Sequence, residues 1–358
     1  MKNTAIVYCE GLFGEIDGKV ANGLVRYSEK YHILAIIDST KSGKDSGMVL
    51  DGVKNNIPIF KNTKEALKIL DTVPEYFIIG LAPSESYLPD FIVKAVKEAM
   101  KAGMDIVNGL PIFFNDNKEL VRGSEKYNVK IHDIRKPKPL NELNLFTGRI
   151  EKVICPVIAI LGLDCAAGKR TTLMEIVRDL RKMGINTAYI ATGQTGVLQG
   201  AKYGVPIDVI NSQYVVGEIE AAVVSAFENE KPDLILVEGQ SSLSHPAYLS
   251  SYGIIKGANP DAFIIQHVPK RKIRVDFPFL EVPSLKSEID LIEYLSKKPV
   301  IGITINHENI SKLEIDKVIK DCEKQFKIPT TDILKYGTNK IIDEILRLFP
   351  DVTKNTAS

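Results

Sequence analysis

The segment "VIAILGLDCAAGKRTTLMEIV", Val157 to Val177, restricts the possible folds of this chain more than any other. An apolar run suited to a buried strand ends in a turn bracketed by Gly162 and Gly168, and helical character follows at once. A strand apolar on both faces needs cover above and below, so the unit belongs in a parallel sheet with helices on its faces. The backbone N–H groups of Ala166 to Thr171 would converge at the positive end of the following helix, and Lys169 adds a full charge beside them. Together these features describe a phosphate cradle, and the bland alternative is an ordinary strand-to-helix turn. Two details depart from GxxxxGK[ST]: five residues separate the glycines, and Arg170 stands where a magnesium-binding hydroxyl belongs. The candidate cofactor-binding residues are therefore Gly162, Asp164, Cys165, Ala166, Ala167, Gly168, Lys169 and Arg170, with Thr171 and Thr172 as imperfect substitutes for the hydroxyl.

Strand-like runs alternate with helical stretches on both sides of this segment, which predicts an α/β protein. Strands are expected at Ala5 to Tyr8, Ile33 to Ile37, Ile57 to Phe60, Tyr76 to Ile79 and Asp105 to Asn108 in the first half. The second half repeats the pattern from "VIAIL" through "TAYIAT", "DLILVEG", "AFIIQHV" and "PVIGITI". Between them the periodicity lapses around Pro137 and Pro139. With 358 residues to place, the reading is a Rossmann-like domain over 1–135, a linker over 136–150 and a P-loop NTPase-like domain with a mainly parallel sheet over 151–358.

Charge excludes one class of partner. The 46 basic and 45 acidic residues nearly cancel, so no broad basic face is available for nucleic acid. Cys9, Cys155, Cys165 and Cys322 are scattered without pairing, which predicts no metal site, no disulfide framework and a reducing, cytoplasmic setting. No apolar run approaches the roughly 20 residues that span a bilayer, so no membrane partner is expected. Homo-oligomers remain open.

The remaining chemistry gathers after two strands. "ATGQTG" places Thr192, Gln194 and Thr195 at a strand's carboxyl end, where open parallel sheets bind ligands, although a polar turn would look the same. "VEGQSSLSHPAY" sets Glu238 directly after an apolar strand and brings Gln240, Ser241, Ser244, His245 and Tyr248 close behind. A carboxylate there can act as a base or cap the next helix, and His245 before Pro246 is the best single candidate for proton transfer. Thr192, Gln194, Thr195, Gln240 and Ser241 form the candidate substrate-binding set, with His245 and Glu238 as the catalytic pair. Cys165, near a helix N-terminus, is a candidate thiolate, and His267 should face the same sheet edge.

Three resemblances sharpen this. The order "IVYCEG", "AIIDSTKSGKDSG", "IPIFKNTKEAL", "YFIIGLAPS", "AGMDIVNGLP" resembles the CoA-binding domain of the succinyl-CoA synthetase alpha subunit, with Asp38 in place of that family's Thr-Pro segment. "GLDCAAGKRTT" and "LILVEGQSS" resemble dethiobiotin synthetase, without the lysine that follows its second strand. Taken together, "GLDCAAGKRTT", "YIATGQTGVL", "VEGQSSLSHPAY", "GANPDAFIIQHVP" and "IPTTDILKYG" closely resemble a family of P-loop proteins with a Rossmann-like N-terminal domain, whose characterised activity is D-glutamate N-acetylation from acetyl-CoA.

That last likeness implies an acyltransferase with acetyl-CoA as donor and an amino acid as acceptor. His245 or Glu238 would serve as base, and N–H groups around Gly239 to Ser241 or the Gln194 amide as oxyanion donors. Lys202, Lys270, Arg271 or Arg274 would anchor substrate carboxylates. Whether CoA sits in the first or the second domain stays open. The alternatives are an ATP- and magnesium-dependent ligase or kinase of the dethiobiotin synthetase type, and a non-enzymatic nucleotide-binding scaffold or sensor.

Overall fold

The Ile- and Val-rich runs become the strands of two parallel sheets in the computed structural model, which describes residues 3–82 and 87–357. One sheet holds β1 (Asn3–Tyr8), β2 (Tyr31–Ile37), β3 (Ile59–Phe60), β4 (Tyr76–Ile79), β5 (Asp105–Asn108) and β6 (Ile131–Asp133), in the order β3-β2-β1-β4-β5-β6. The other holds β7 (Val157–Gly162), β8 (Thr187–Ala191), β9 (Tyr203–Gly204), β10 (Leu234–Glu238), β11 (Ala262–His267), β12 (Val300–Ile305) and β13 (Thr330–Thr331). Its order is β13-β12-β11-β7-β10-β8-β9, and every strand pairing named in either sheet is parallel. The α/β class and the two sheet types expected from the sequence are both present. β7, β8, β10 and β12 are buried along their whole length, as strands covered on both faces must be.

The helix Lys169–Lys182 after β7 shows how such cover is built. Leu173, Ile176, Val177 and Leu180 recur at three- and four-residue steps and are fully buried, while Arg178, Arg181 and Lys182 stay on the outer side. The register sets Gln266 of β11 opposite Gly162 and Glu238 of β10 opposite Ile160, so both polar side chains stand at the carboxyl edge of the sheet, on either side of the end of β7. Among the described residues no helix is long and apolar enough to cross a membrane.

The chain divides into two units, Met1–Pro137 with Gln194–Ala201, and Lys138–Gly193 with Lys202–Ser358. The helix Gln194–Gln199 thus belongs with the first unit, although its sequence follows "TAYIAT" of the second. Leu198 enters the first unit's core, Gln199 Nε2 donates to Gly23 O at 2.7 Å and Tyr27 O at 3.0 Å, and Gln199 O accepts the Glu29 N–H at 2.7 Å.

Much of the stretch expected as a linker is held in place. Glu218 and Glu220 on the helix Ser212–Glu230 are buried carboxylates that receive the chain from Asn144 onward. Glu218 Oε1 accepts from Asn144 N and Nδ2 at 2.6 and 2.7 Å. Glu220 accepts from Thr147 N at 2.7 Å, Thr147 Oγ1 at 2.9 Å and Ile150 N at 3.2 Å. The proline-rich composition marked a break in periodicity there but carried no sign of these carboxylates, some 70 residues away.

Candidate functional site

The turn after β7 is tied down from outside by its carbonyl groups. Leu163 O accepts from Arg274 Nη1 at 3.2 Å, Cys165 O from Arg271 Nη1 at 2.7 Å, and Ala167 O from Asn306 Nδ2 at 2.9 Å. Asp164 O accepts from Lys169 Nζ at 2.6 Å. With the carbonyls so engaged, the N–H groups of Ala166, Ala167, Gly168 and Lys169 have no partner among the described residues. Ala166 at φ 47° and Gly168 at φ 108° curl the chain in the left-handed sense that makes a concave run of N–H groups. Only glycine takes the second of these angles without strain. Burial pushes the Lys169 ammonium below its usual value, while Asp164 and Glu238 pull the other way.

Asp164 itself is a structural tie. It is 1 % exposed, and its Oδ2 accepts from Arg271 Nη1 at 3.0 Å and from Val275 N at 3.1 Å. Arg271 also pairs with Glu308 at 2.6 Å, and Arg274 donates to Ser242 Oγ at 2.9 Å. Both arginines, singled out above as carboxylate anchors, have side chains only 5 and 3 % exposed and hold the turn instead. Lys202 and Lys270 form exposed pairs with Glu230 and Glu314, at 2.7 and 2.8 Å.

Arg170 lies with its guanidinium 5.0 Å from the ring centroid of Tyr189 on β8. Thr172 is buried and donates to Gln266 Oε1 at 2.5 Å, which Thr304 also approaches at 2.6 Å; Thr171 is half-buried. Burial pushes the Cys165 thiol up to about 11, against the pull of Lys169, so the thiolate suggested by its position is not formed at neutral pH.

The loops after β8 and β10 are joined to each other. Glu238 accepts the Thr192 N–H at 3.0 Å, Thr192 Oγ1 donates to Glu238 O at 2.8 Å, and Gln240 Nε2 donates to Thr192 Oγ1 at 3.0 Å. Gly239 is needed because a Cβ there would sit 2.0 Å from Ile160 O. Ser241 is buried at φ 47°, beside Cys165. Thr192, Glu238, Gln240 and Ser241 are thereby brought together with the turn, whereas Gln194 and Thr195 belong to the first unit.

His245 follows in the same loop, buried, its ring stacked on Tyr248 at 4.5 Å with Phe277 at 5.5 Å. Its Nδ1 accepts the Ala247 N–H at 3.1 Å. The loop is braced by Glu288, which sequence reasoning missed: fully buried on the helix Leu285–Ser296, it accepts from Leu243 N at 2.5 Å and Ser244 Oγ at 2.6 Å. Burial pushes the Glu288 carboxyl up, against these bonds. No local motif marks that acid. His267 ends β11, where burial and then Lys272 push its imidazole down to about 4.

The first unit has a glycine turn of its own after β1. There the N–H groups of Leu12, Glu15 and Gly18 bond to Cys9 O, Leu12 O and Glu15 O at 3.0–3.2 Å. Phe13 N donates to Asp38 Oδ2 at 3.1 Å and Gly14 N to Asn22 Oδ1 at 2.9 Å. Asp38, fully buried at the end of β2, also accepts from Thr40 N at 2.9 Å and Thr40 Oγ1 at 2.6 Å. Pro83 and Ser84 of "YFIIGLAPS" lie outside the described residues.

Comparison with known proteins gives consistent matches. Residues 144–342 match the P-loop domain and residues 39–137 the Rossmann-like domain of DUF1611, both described as domains of unknown function. A D-glutamate N-acetyltransferase from a Pseudoalteromonas species is 30% identical over 272 residues, covering 74% of this chain and 80% of that protein. Another protein of that name, from Tritonibacter scottomollicae, is 27% identical over 302 residues, covering 83% and 88%. The crystal structure of a DUF1611 family protein from Anabaena variabilis superposes with a TM-score of 0.88 at 27% identity, covering 97% of this chain and all of that one.

Proposed function

The chain belongs to the DUF1611 family, and from that premise we propose that it is an N-acetyltransferase. It moves the acetyl group of acetyl-CoA onto the amino group of an acidic amino acid, D-glutamate first. Relatives bearing that enzyme's name support the choice of reaction. The observation that carries it is the turn over 163–168, whose carbonyls at Leu163, Asp164, Cys165 and Ala167 are taken up while the four successive N–H groups of Ala166 to Lys169 are left to meet an anion, with the Lys169 ammonium, held on Asp164 O, beside them. CoA brings phosphate groups, and holding them needs donors and a cation but no magnesium hydroxyl. In this proposal the donor's phosphates rest on the second unit, and Glu238 and His245 share the handling of the carbonyl and the amine. The free cysteines fit a reducing, cytoplasmic setting.

The test is release of CoA thiol by the purified chain from acetyl-CoA, with a panel of L- and D-amino acids. D-Glutamate should give the fastest release. No release with any of them would end the proposal. Magnesium-dependent ADP formation with a carboxylate substrate would replace it by the ligase or kinase reading, for which buried Thr172, engaged with Gln266, offers little support.

A further inference from the structure

His245 is 5 % exposed, and its two ring nitrogens are in opposite situations. Nδ1 accepts the backbone N–H of Ala247 at 3.1 Å, whereas Nε2 is buried without a hydrogen-bond partner among the described residues. The local sequence dictates the first contact: Pro246 has no N–H, so the first donor past His245 is Ala247. A nitrogen that accepts carries no hydrogen, and neutral imidazole has a single N–H, which therefore sits on Nε2. Turning the ring over would set a carbon-bound hydrogen against the Ala247 N–H, so the orientation is not free. Adding a second proton would put it on Nδ1, against the same N–H.

The surroundings favour the neutral ring. Burial pushes His245 down first, the charges of Arg274 and Lys169 act in the same direction, and Asp164 and Asp276 oppose them without prevailing. Tyr248 covers one face of the ring and donates its own hydroxyl hydrogen to Asp276 at 3.3 Å. A buried donor with no acceptor in the protein is rare and calls for one from outside.

Resting on the acetyltransferase reading above, we propose that His245 is not the base: its Nε2–H is the hydrogen-bond donor that receives the thioester carbonyl oxygen as it becomes an oxyanion. The ammonium of the acceptor first loses one proton to Glu238. The amine lone pair then forms the C–N bond to the acetyl carbon while the carbonyl π pair moves onto oxygen, held by Nε2–H. Collapse restores the carbonyl and breaks the C–S bond, its electron pair leaving on the CoA sulfur. Nitrogen gives up its second proton and sulfur takes one, so N-acetylated amino acid, CoA thiol and one proton are formed. His245 lends a hydrogen bond throughout and surrenders no proton.

Two variants and one spectrum test this. His245→Leu should lower kcat by about 10²–10³-fold, as loss of a single oxyanion donor does. His245→Gln returns an amide N–H and should recover roughly tenfold or more of that loss, with the acid limb of kcat/KM against pH unchanged from the parent chain. Disappearance of that limb in His245→Gln, with no rescue over leucine, would make His245 the base and overturn the proposal. Nitrogen-15 imidazole signals of the full chain, with His245→Gln identifying the resonance, should show a bare Nδ1 and a protonated Nε2. The reversed tautomer together with thiol release would overturn this role alone, while no thiol release on any amino acid would remove the acetyltransferase reading and this role with it. Should His245→Leu fail to fold, the pH profile of His245→Gln and the spectrum decide the matter.

Discussion

Each sheet leads its first strand in sequence into a glycine turn, β1 into residues 9–18 and β7 into 162–168, and the two turns dispose of their backbone groups in opposite ways. After β1 the N–H groups of Leu12, Phe13, Gly14, Glu15 and Gly18 are taken up within the unit, by carbonyls of the turn, by Asn22 and by the fully buried Asp38. After β7 it is the carbonyls that are taken up, by Arg271, Arg274, Asn306 and Lys169, and the N–H groups that are left. Glycine content alone does not separate the two turns. What separates them is which half of each peptide the protein satisfies for itself.

Lys169→Met should weaken CoA binding by roughly 100-fold, about 3 kcal/mol, since the proposed charge-assisted bond to phosphate would be lost; titration calorimetry on the full chain checks it. An unchanged affinity would move the donor's phosphates elsewhere. Asp38→Ala should do the reverse, leaving CoA affinity as it was while lowering stability by about 2 kcal/mol as the Phe13 and Thr40 N–H groups lose their acceptor. A denaturant titration reads that loss, and a parallel loss of CoA binding would reassign the first turn as a ligand site.

Glu220 extends the same rule to a third set of N–H groups. Burial pushes its carboxyl up, but the bonds from Thr147 and Ile150 outweigh burial and bring its pKa below the usual glutamate value. Its contribution is therefore fully present above about pH 4.3 and lost as pH falls through the lower folded value. Glu220→Gln should remove about 1 kcal/mol of stability at neutral pH, and the gap from the parent should close in acid. A gap that stays constant with pH would deny the carboxylate this role. The smallest effect is expected at Thr172→Val, which removes the hydroxyl from Gln266 and should cost about 1 kcal/mol or less in melting experiments, with CoA affinity unaltered.

The inner strands and the helix after β7 were legible because apolar period and glycine punctuation are local signals. β6, β9 and β13 were not foreseen: they are two or three residues long, with no apolar run to announce them. At the site, Lys169, Glu238 and His245 could be picked out by their places next to strands. The roles of Arg271 and Arg274 could not, because a cation bonded to carbonyls more than 100 residues away reads in sequence like any surface cation. Glu288 was hidden for the same reason. Arg170, prominent in the motif, lies over Tyr189 of β8, a contact that only the sheet order creates.

The helix Gln194–Gln199 has a consequence for how the chain is made. The first unit needs Leu198 in its core and Gln199 on the carbonyls of Gly23 and Tyr27, so it cannot be finished when Pro137 emerges from the ribosome. It must wait through β7, the helix Lys169–Lys182 and β8, several seconds at about 5–20 residues per second. Biosynthesis therefore interlaces the two units in time, and a gene fragment cut at residue 137 would yield a protein that lacks the last piece of its own core.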